Sequence, residues 1–129
     1  MDSAQIFFYV LIALIVIFII RKVLLYRSVK HYTPADVAAK LKKDRNVILL
    51  DVRTPQERKQ DYIKGSFHIP LYDITADQKE LLKFKDKEII CYCRTGNRSL
   101  IAASKFRKLG FNSANLKGGI IFWNRAGLK

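Results

Sequence analysis

The chain has 129 residues, 24 of them Lys or Arg against 11 Asp or Glu, for a formal net charge of +13 at neutral pH. That length accommodates one ordinary domain, and a composition half hydrophobic and 27% charged excludes an intrinsically disordered chain. Three prolines and six glycines exclude low-complexity and collagen-like architectures. The two cysteines, Cys91 and Cys93, are too few for the disulfide framework of a small secreted domain and too close together to close a loop, so a reducing compartment is expected.

The first element is apolar. Ile6 to Ile20 are fifteen consecutive apolar residues, and the run resumes after Arg21 and Lys22 with Val23, Leu24, Leu25 and Tyr26. As a helix, residues 6–26 reach about 31 Å, the hydrocarbon thickness of a bilayer, with the stems of Arg21 and Lys22 extended toward the headgroups. A secretory signal peptide needs a positive start and a small-residue cleavage site. This chain opens Met1, Asp2, Ser3 and runs from the apolar block straight into basic residues, so an uncleaved anchor is expected. Arg21, Lys22, Arg27 and Lys30 follow the block and no Lys or Arg precedes it, which by the positive-inside rule puts the rest of the chain in the cytoplasm. Residues 1–30 are read as anchor and basic juxtamembrane segment, and residues 31–129 as the folded domain. Apart from Asp2 and those four cations, the remainder still carries a net charge of +10, suited to anionic headgroups or small anions. No helix-turn-helix, zinc finger or aromatic-interleaved basic stripe is present, so nucleic acid is not an expected partner.

Thr33, Pro34 and Asp36 have the spacing of a capping box with proline at the first helical position, and predict a helix to about Lys43. Asn46 to Val52 is a short apolar run of the kind buried on both faces in a parallel sheet. Thr54 and Pro55 open a polar helical stretch. Phe67 to Leu71 reads as a second strand, Lys79 to Phe84 as a helix, and Glu88 to Tyr92 as a third strand. The loop Cys93 to Arg98 leads into a helical pattern from Ser99 to Leu109. Phe111 to Leu116 reads as a further strand, and Gly118 and Gly119 lead into a last helix bearing Phe122 and Trp123. This alternation predicts an α/β fold with a parallel sheet.

In such sheets ligands bind at the carboxyl ends of strands, where loops meet helix N-termini. Cys93 lies at one of those ends. The segment Cys93, Arg94, Thr95, Gly96, Asn97, Arg98, Ser99 brings backbone N–H groups, a helix dipole and two guanidinium groups to bear on a thiol, and each favours the thiolate. Gly96 permits the tight curl, and Ser99 is expected to cap the following helix.

The string CRTGNRS from Cys93 to Ser99 resembles the active-site loop of the rhodanese (sulfurtransferase) family. LDVRTPQE from Leu50 to Glu57, GSFHIPL from Gly65 to Leu71 and LKGGIIFW from Leu116 to Trp123 are similar to further family motifs, in the family's order. The resemblance covers residues 31 to 129. It implies a five-stranded parallel sheet flanked by helices, preceded here by the transmembrane helix. It also implies that Cys93 takes a sulfane sulfur from a small anionic donor such as thiosulfate and passes it to a thiophilic acceptor, cyanide or a protein or small thiol. No cofactor is implied. Arg94 and Arg98 would draw in the donor and stabilise departing sulfite, and Thr95, Gly96 and Asn97 would complete the substrate cradle. Where family members often have Gly-His-Ile, this chain has Asp61, Tyr62 and Ile63.

Two other classes are open to the same residues. A phosphatase or arsenate reductase also holds an oxyanion in a cysteine-arginine loop, but tyrosine phosphatase loops place five residues between Cys and Arg where this chain has four. A non-catalytic module docked at the membrane would not need Cys93. Cys91, inside an apolar strand, reads as core. Cys91, Cys93, His31 and His68 lack a metal-ligand spacing, so no metal is expected. His68 reads as structural, and Trp123 reads as core or as a residue lining the pocket mouth. Asp51 and Arg53 read either as a buried ion pair joined by Glu57 or as substrate contacts.

Overall fold

A computed structural model describes residues 1–128. Helix α1 (Ser3–Ser28) opens on a capping box in which the Asp2 carboxylate accepts from Gln5 N–H and the Gln5 side chain accepts from Asp2 N–H. At 26 residues it is about 39 Å long, none of its residues is buried, and it is long and apolar enough to cross a membrane. A helix apolar all round has no solvent-facing side to offer.

The rest alternates as the pattern of apolar runs predicts. Strand β1 (Lys30–Tyr32) is followed by α2 (Pro34–Lys43), β2 (Val47–Asp51), α3 (Pro55–Gln60) and β3 (Phe67–His68). Two 3₁₀ segments, Leu71–Asp73 and Lys79–Phe84, precede β4 (Glu88–Tyr92), α4 (Asn97–Lys108), β5 (Asn112–Leu116) and α5 (Gly119–Arg125). The five strands form one sheet in the order β1-β5-β4-β2-β3, every pair parallel. Side chains alternate between the faces. Ile48, Leu50, Ile89 and Cys91 pack with Ala102, Ala103 and Phe106 of α4, and Val47, Leu49, Ile90 and Tyr92 pack with Val37, Ile120 and Trp123. Burial on both sides is why β2 and β4 are continuous apolar runs.

The structure adds one strand and changes two expected elements. A strand at Lys30–Tyr32 was not anticipated: three residues without apolar alternation carry no strand signal, and β1 forms because β5 offers it an edge. The strand expected over Phe67–Leu71 pairs only at Phe67 and His68, since Pro70 has no N–H to give a ladder. Lys79–Phe84 is 3₁₀ rather than α, which aligns Leu81 and Phe84, three apart and both buried, on one side.

Tyr92, among the largest fully buried side chains, holds the irregular segment after α3. Its hydroxyl accepts from Ile63 N–H at 3.2 Å and lies 2.9 Å from Ser66 Oγ. Tyr92→Phe leaves the buried Ile63 N–H without its acceptor, and reversible denaturation of the full chain in detergent should show a loss of about 1–3 kcal/mol.

Candidate functional site

Cys93 follows β4 directly, at the carboxyl end of the sheet's central strand, and is 1% exposed. The chain then curls through Gly96, whose φ of 109° is left-handed and open to glycine, into the first turn of α4. The curl turns main-chain N–H groups inward. Gly96 N–H donates to Cys93 Sγ at 3.1 Å, and the Ser99 hydroxyl lies 3.4 Å from the same sulfur. Burial pushes the thiol up, but hydrogen bonds from the Ser99 side chain and from the N–H groups of Ser99, Gly96 and Thr95 outweigh it, and the net shift is downward. Cys91, fully buried and without such donors, is pushed far up. The two thiols, two residues apart, are thus chemically distinct.

The last helix holds the loop from behind. Ile120 N–H donates to the Cys93 carbonyl at 2.9 Å and Ile121 N–H to the Arg94 carbonyl at 3.3 Å. That approach needs Gly119, at φ 61°, where a Cβ would stand 2.5 Å from both carbonyl oxygens.

The charged residues sort differently from the sequence expectation. Asp51, 0% exposed, accepts from Arg53 Nε and Nη2, both at 2.9 Å, and from Arg58 Nη1 at 3.3 Å. Arg53 Nη2 also donates to the Asp61 carbonyl, and His68 Nε2 donates to the Arg53 carbonyl at 2.7 Å. Asp51 and Arg53 are therefore a buried pair, and Arg58 joins it rather than Glu57. Glu57 instead takes Arg98 in a bidentate pair at 2.5 and 2.8 Å. Arg98 holds the Glu57 carboxyl down to about 2, with further help from Thr54 against the opposing effect of burial, so the pair persists until pH falls through that value.

Of the expected site residues, Cys93 and Gly96 meet at the sulfur. Arg94 is exposed and lines a polar cleft with Arg53, Glu57 and Asp61. Thr95, Gly96 and Asn97 line a second concavity with Tyr26, His31 and Phe122. Ser99 is not the cap of α4; Gly96 holds that position, and the Ser99 side chain is buried against Cys93 and Asn115. Glu57 was visible as the capping-box partner of Thr54, a role it fills, while its pairing with Arg98, 41 positions away, leaves no local trace. Trp123 is core, at 5% exposure.

A thiol with a lowered pKa is one whose deprotonated form the fold favours, an advantage present at alkaline pH and lost as pH falls through the folded value. Alkylation of Cys93 by iodoacetamide should rise with pH through a midpoint below the ordinary thiol value of about 8.5. Ser99→Ala should move that midpoint upward.

The rhodanese-like domain pattern matches residues 33–126. A sulfurtransferase of Allochromatium vinosum is 36% identical over 93 residues, spanning 71% of this chain and 85% of that protein. The crystal structure of a rhodanese-related protein from Thermoplasma volcanium superposes with a TM-score of 0.68 at 30% identity, covering 78% of this chain and 95% of the other. A Rhodopseudomonas palustris protein of unknown function, described as a possible tyrosine phosphatase, superposes with a TM-score of 0.72 at 28% identity, covering 81% of this chain and 86% of its own. A match that runs from the cap of α2 to the end of α5, taking in the whole Cys93 loop, makes this chain a member of the rhodanese-like domain family.

Proposed function

We propose that the chain is a membrane-anchored sulfurtransferase working through a persulfide on Cys93. The observation that carries this reading is the cradle of N–H donors around Sγ, headed by Gly96 at 3.1 Å. The Cys93 thiolate attacks the outer sulfur of a donor such as thiosulfate. A new S–S bond forms as the donor's own breaks, and the electron pair leaves with sulfite. The persulfide anion keeps its charge on the terminal sulfur, where fixed dipoles stabilise it without reorganising. A thiophilic acceptor, cyanide or a thiol, then attacks that sulfur and releases the thiolate, so that loading and unloading are separate half-reactions. Thr95, Gly96 and Asn97 form the cradle. Arg94, on the exposed side of the loop, meets the incoming dianion. Arg98 contributes its charge from within the Glu57 pair and fixes the loop against α3.

In the assay that forms thiocyanate from thiosulfate and cyanide, Cys93→Ser should abolish turnover. Arg98→Ala should lower kcat/KM for thiosulfate roughly a hundredfold, because it removes a cation and leaves Glu57 facing the sulfur anion. Turnover that survives in the serine variant would remove Cys93 from its role. Release of phosphate from an aryl phosphate at comparable rates would favour the phosphatase reading over this one, against the short four-residue span between Cys93 and Arg98.

The reading places α1 across the bilayer over residues 6–26, with the domain on the cytoplasmic side. An uncleaved helix is supported by the way its last turns belong to the fold: Leu25 packs on the core, Tyr26 stacks on His31, and Arg107 donates to the Ser28 carbonyl. Cleavage after the apolar block would discard part of that packing. The protein isolated from cells should stay with membranes through alkaline carbonate washing and retain its N-terminus. Recovery of a shortened, freely soluble form would refute the anchor.

A further inference from the structure

A second line of hydrogen bonds leads away from the thiol. The Ser99 hydroxyl, 3.4 Å from Cys93 Sγ, is 2.6 Å from Oδ1 of Asn115 on β5. The Asn115 amide nitrogen lies 3.2 Å from Nδ1 of His31 on β1, and His31 Nε2 lies 2.7 Å from the main-chain carbonyl oxygen of Tyr26 in the last turns of α1. The imidazole also stacks on the Tyr26 ring, with centroids 3.8 Å apart and planes at 17°.

The chemistry of each group sets the direction of this chain. A carbonyl oxygen only accepts, so His31 Nε2 carries a hydrogen and donates it to Tyr26. In the neutral ring Nδ1 is then an acceptor, and the Asn115 NH₂ group supplies its donor. That orientation of the amide turns Oδ1 toward Ser99. Ser99 has a single hydroxyl hydrogen and two acceptors within reach, Asn115 Oδ1 and Cys93 Sγ, of which Asn115 is much the closer.

We propose that His31 and Asn115 are positioning residues for Cys93: held by the Tyr26 carbonyl, they compete with the sulfur anion for the Ser99 hydroxyl hydrogen, so that the sulfur receives it only in part. The proposal deepens the sulfurtransferase reading, resting on Cys93 as the reacting thiol. At rest the thiolate is then less populated than an undivided Ser99 hydroxyl would make it, and the restraint ends in the last turn of the proposed anchor. A shift of that turn releases the imidazole, then the Asn115 amide, and the hydroxyl passes to the sulfur. The other charged or titratable groups near the sulfur are Arg98 with Glu57, Arg53 with Asp51, and Cys91, while Lys117 lines the cavity beside His31. None is a link in the chain, so variants of His31 leave them in place.

The test reads the Cys93 pKa in the full chain, in detergent micelles, from thiolate ultraviolet absorbance and from the pH dependence of iodoacetamide alkylation. His31→Phe keeps a ring against Tyr26 and deletes both ring hydrogen bonds. It should lower the pKa by roughly one unit, about a tenfold larger thiolate fraction at any pH below both values. His31→Gln can accept from Asn115 and donate to Tyr26, and should keep the wild-type value. In a Ser99→Ala background, His31→Phe should have no effect. If the phenylalanine variant does not fold, His31→Leu makes the same deletion. An unchanged or raised pKa on deletion, or a glutamine variant that shifts as far as the phenylalanine one, would overturn the proposal. Because the readout is the thiol itself, a wild-type protein that transfers no sulfur yet shows this pattern would defeat the sulfurtransferase reading and leave the positioning role standing.

Discussion

A sulfur anion in a protein interior is costly unless hydrogen-bond donors meet it, and the fold around Cys93 is organised by that requirement. Besides the Ser99 hydroxyl, the donors are main-chain N–H groups, which cannot rotate away and carry no side-chain entropy. They converge only while the six residues from Cys93 to Arg98 keep their curl. Three supports keep it: β4, buried on both faces, fixes where the curl begins; α4 fixes where it ends; and the first turn of α5, admitted by Gly119, bonds the carbonyls of Cys93 and Arg94 from behind. The carbonyls face the scaffold and the N–H groups face the sulfur.

Around that loop the charges are largely spoken for. Asp51 is shared by Arg53 and Arg58, and Glu57 is clamped by Arg98. A bidentate guanidinium–carboxylate pair fixes orientation as well as energy. The Glu57–Arg98 pair therefore ties the start of α3 to the start of α4 across the mouth of the site. Among these arginines Arg94, exposed on the outer side of the loop, has none of these ion pairs. The surplus of lysines, which dominates the net charge, lies mostly on solvent-facing helix surfaces, where it sets the field around the domain without entering the cradle.

The apolar helix is joined to the domain through more than a tether. Leu25, Tyr26 and Ser28 each contact the folded part, and His31 stands between the helix end and Asn115. Because β1 follows α1 after a single residue, the chain leaves the apolar helix directly into a strand of the sheet. A site whose supporting shell includes such a residue senses how the helix is seated.

The amino-acid sequence by itself determined the apolar helix, the α/β alternation, both buried central strands and the curl after Cys93, because each of these is written in contiguous residues: periodicity, capping boxes, a glycine where a left-handed turn is needed. It also separated Cys91 from Cys93, since one lies within an apolar run and the other just beyond its end. Only the tertiary structure decided the rest. Strand β1 exists because β5 has a free edge for it, Lys79–Phe84 is a 3₁₀ segment because two side chains must reach one core, and Ser99 became a partner of the sulfur because Gly96 already stood at the helix start. Glu57 with Arg98, and Asn115 with His31, are pairs 41 and 84 positions apart. Local chemistry cannot specify such contacts. They depend on which surfaces the sheet order brings together, and that order is set by the packing of the whole domain.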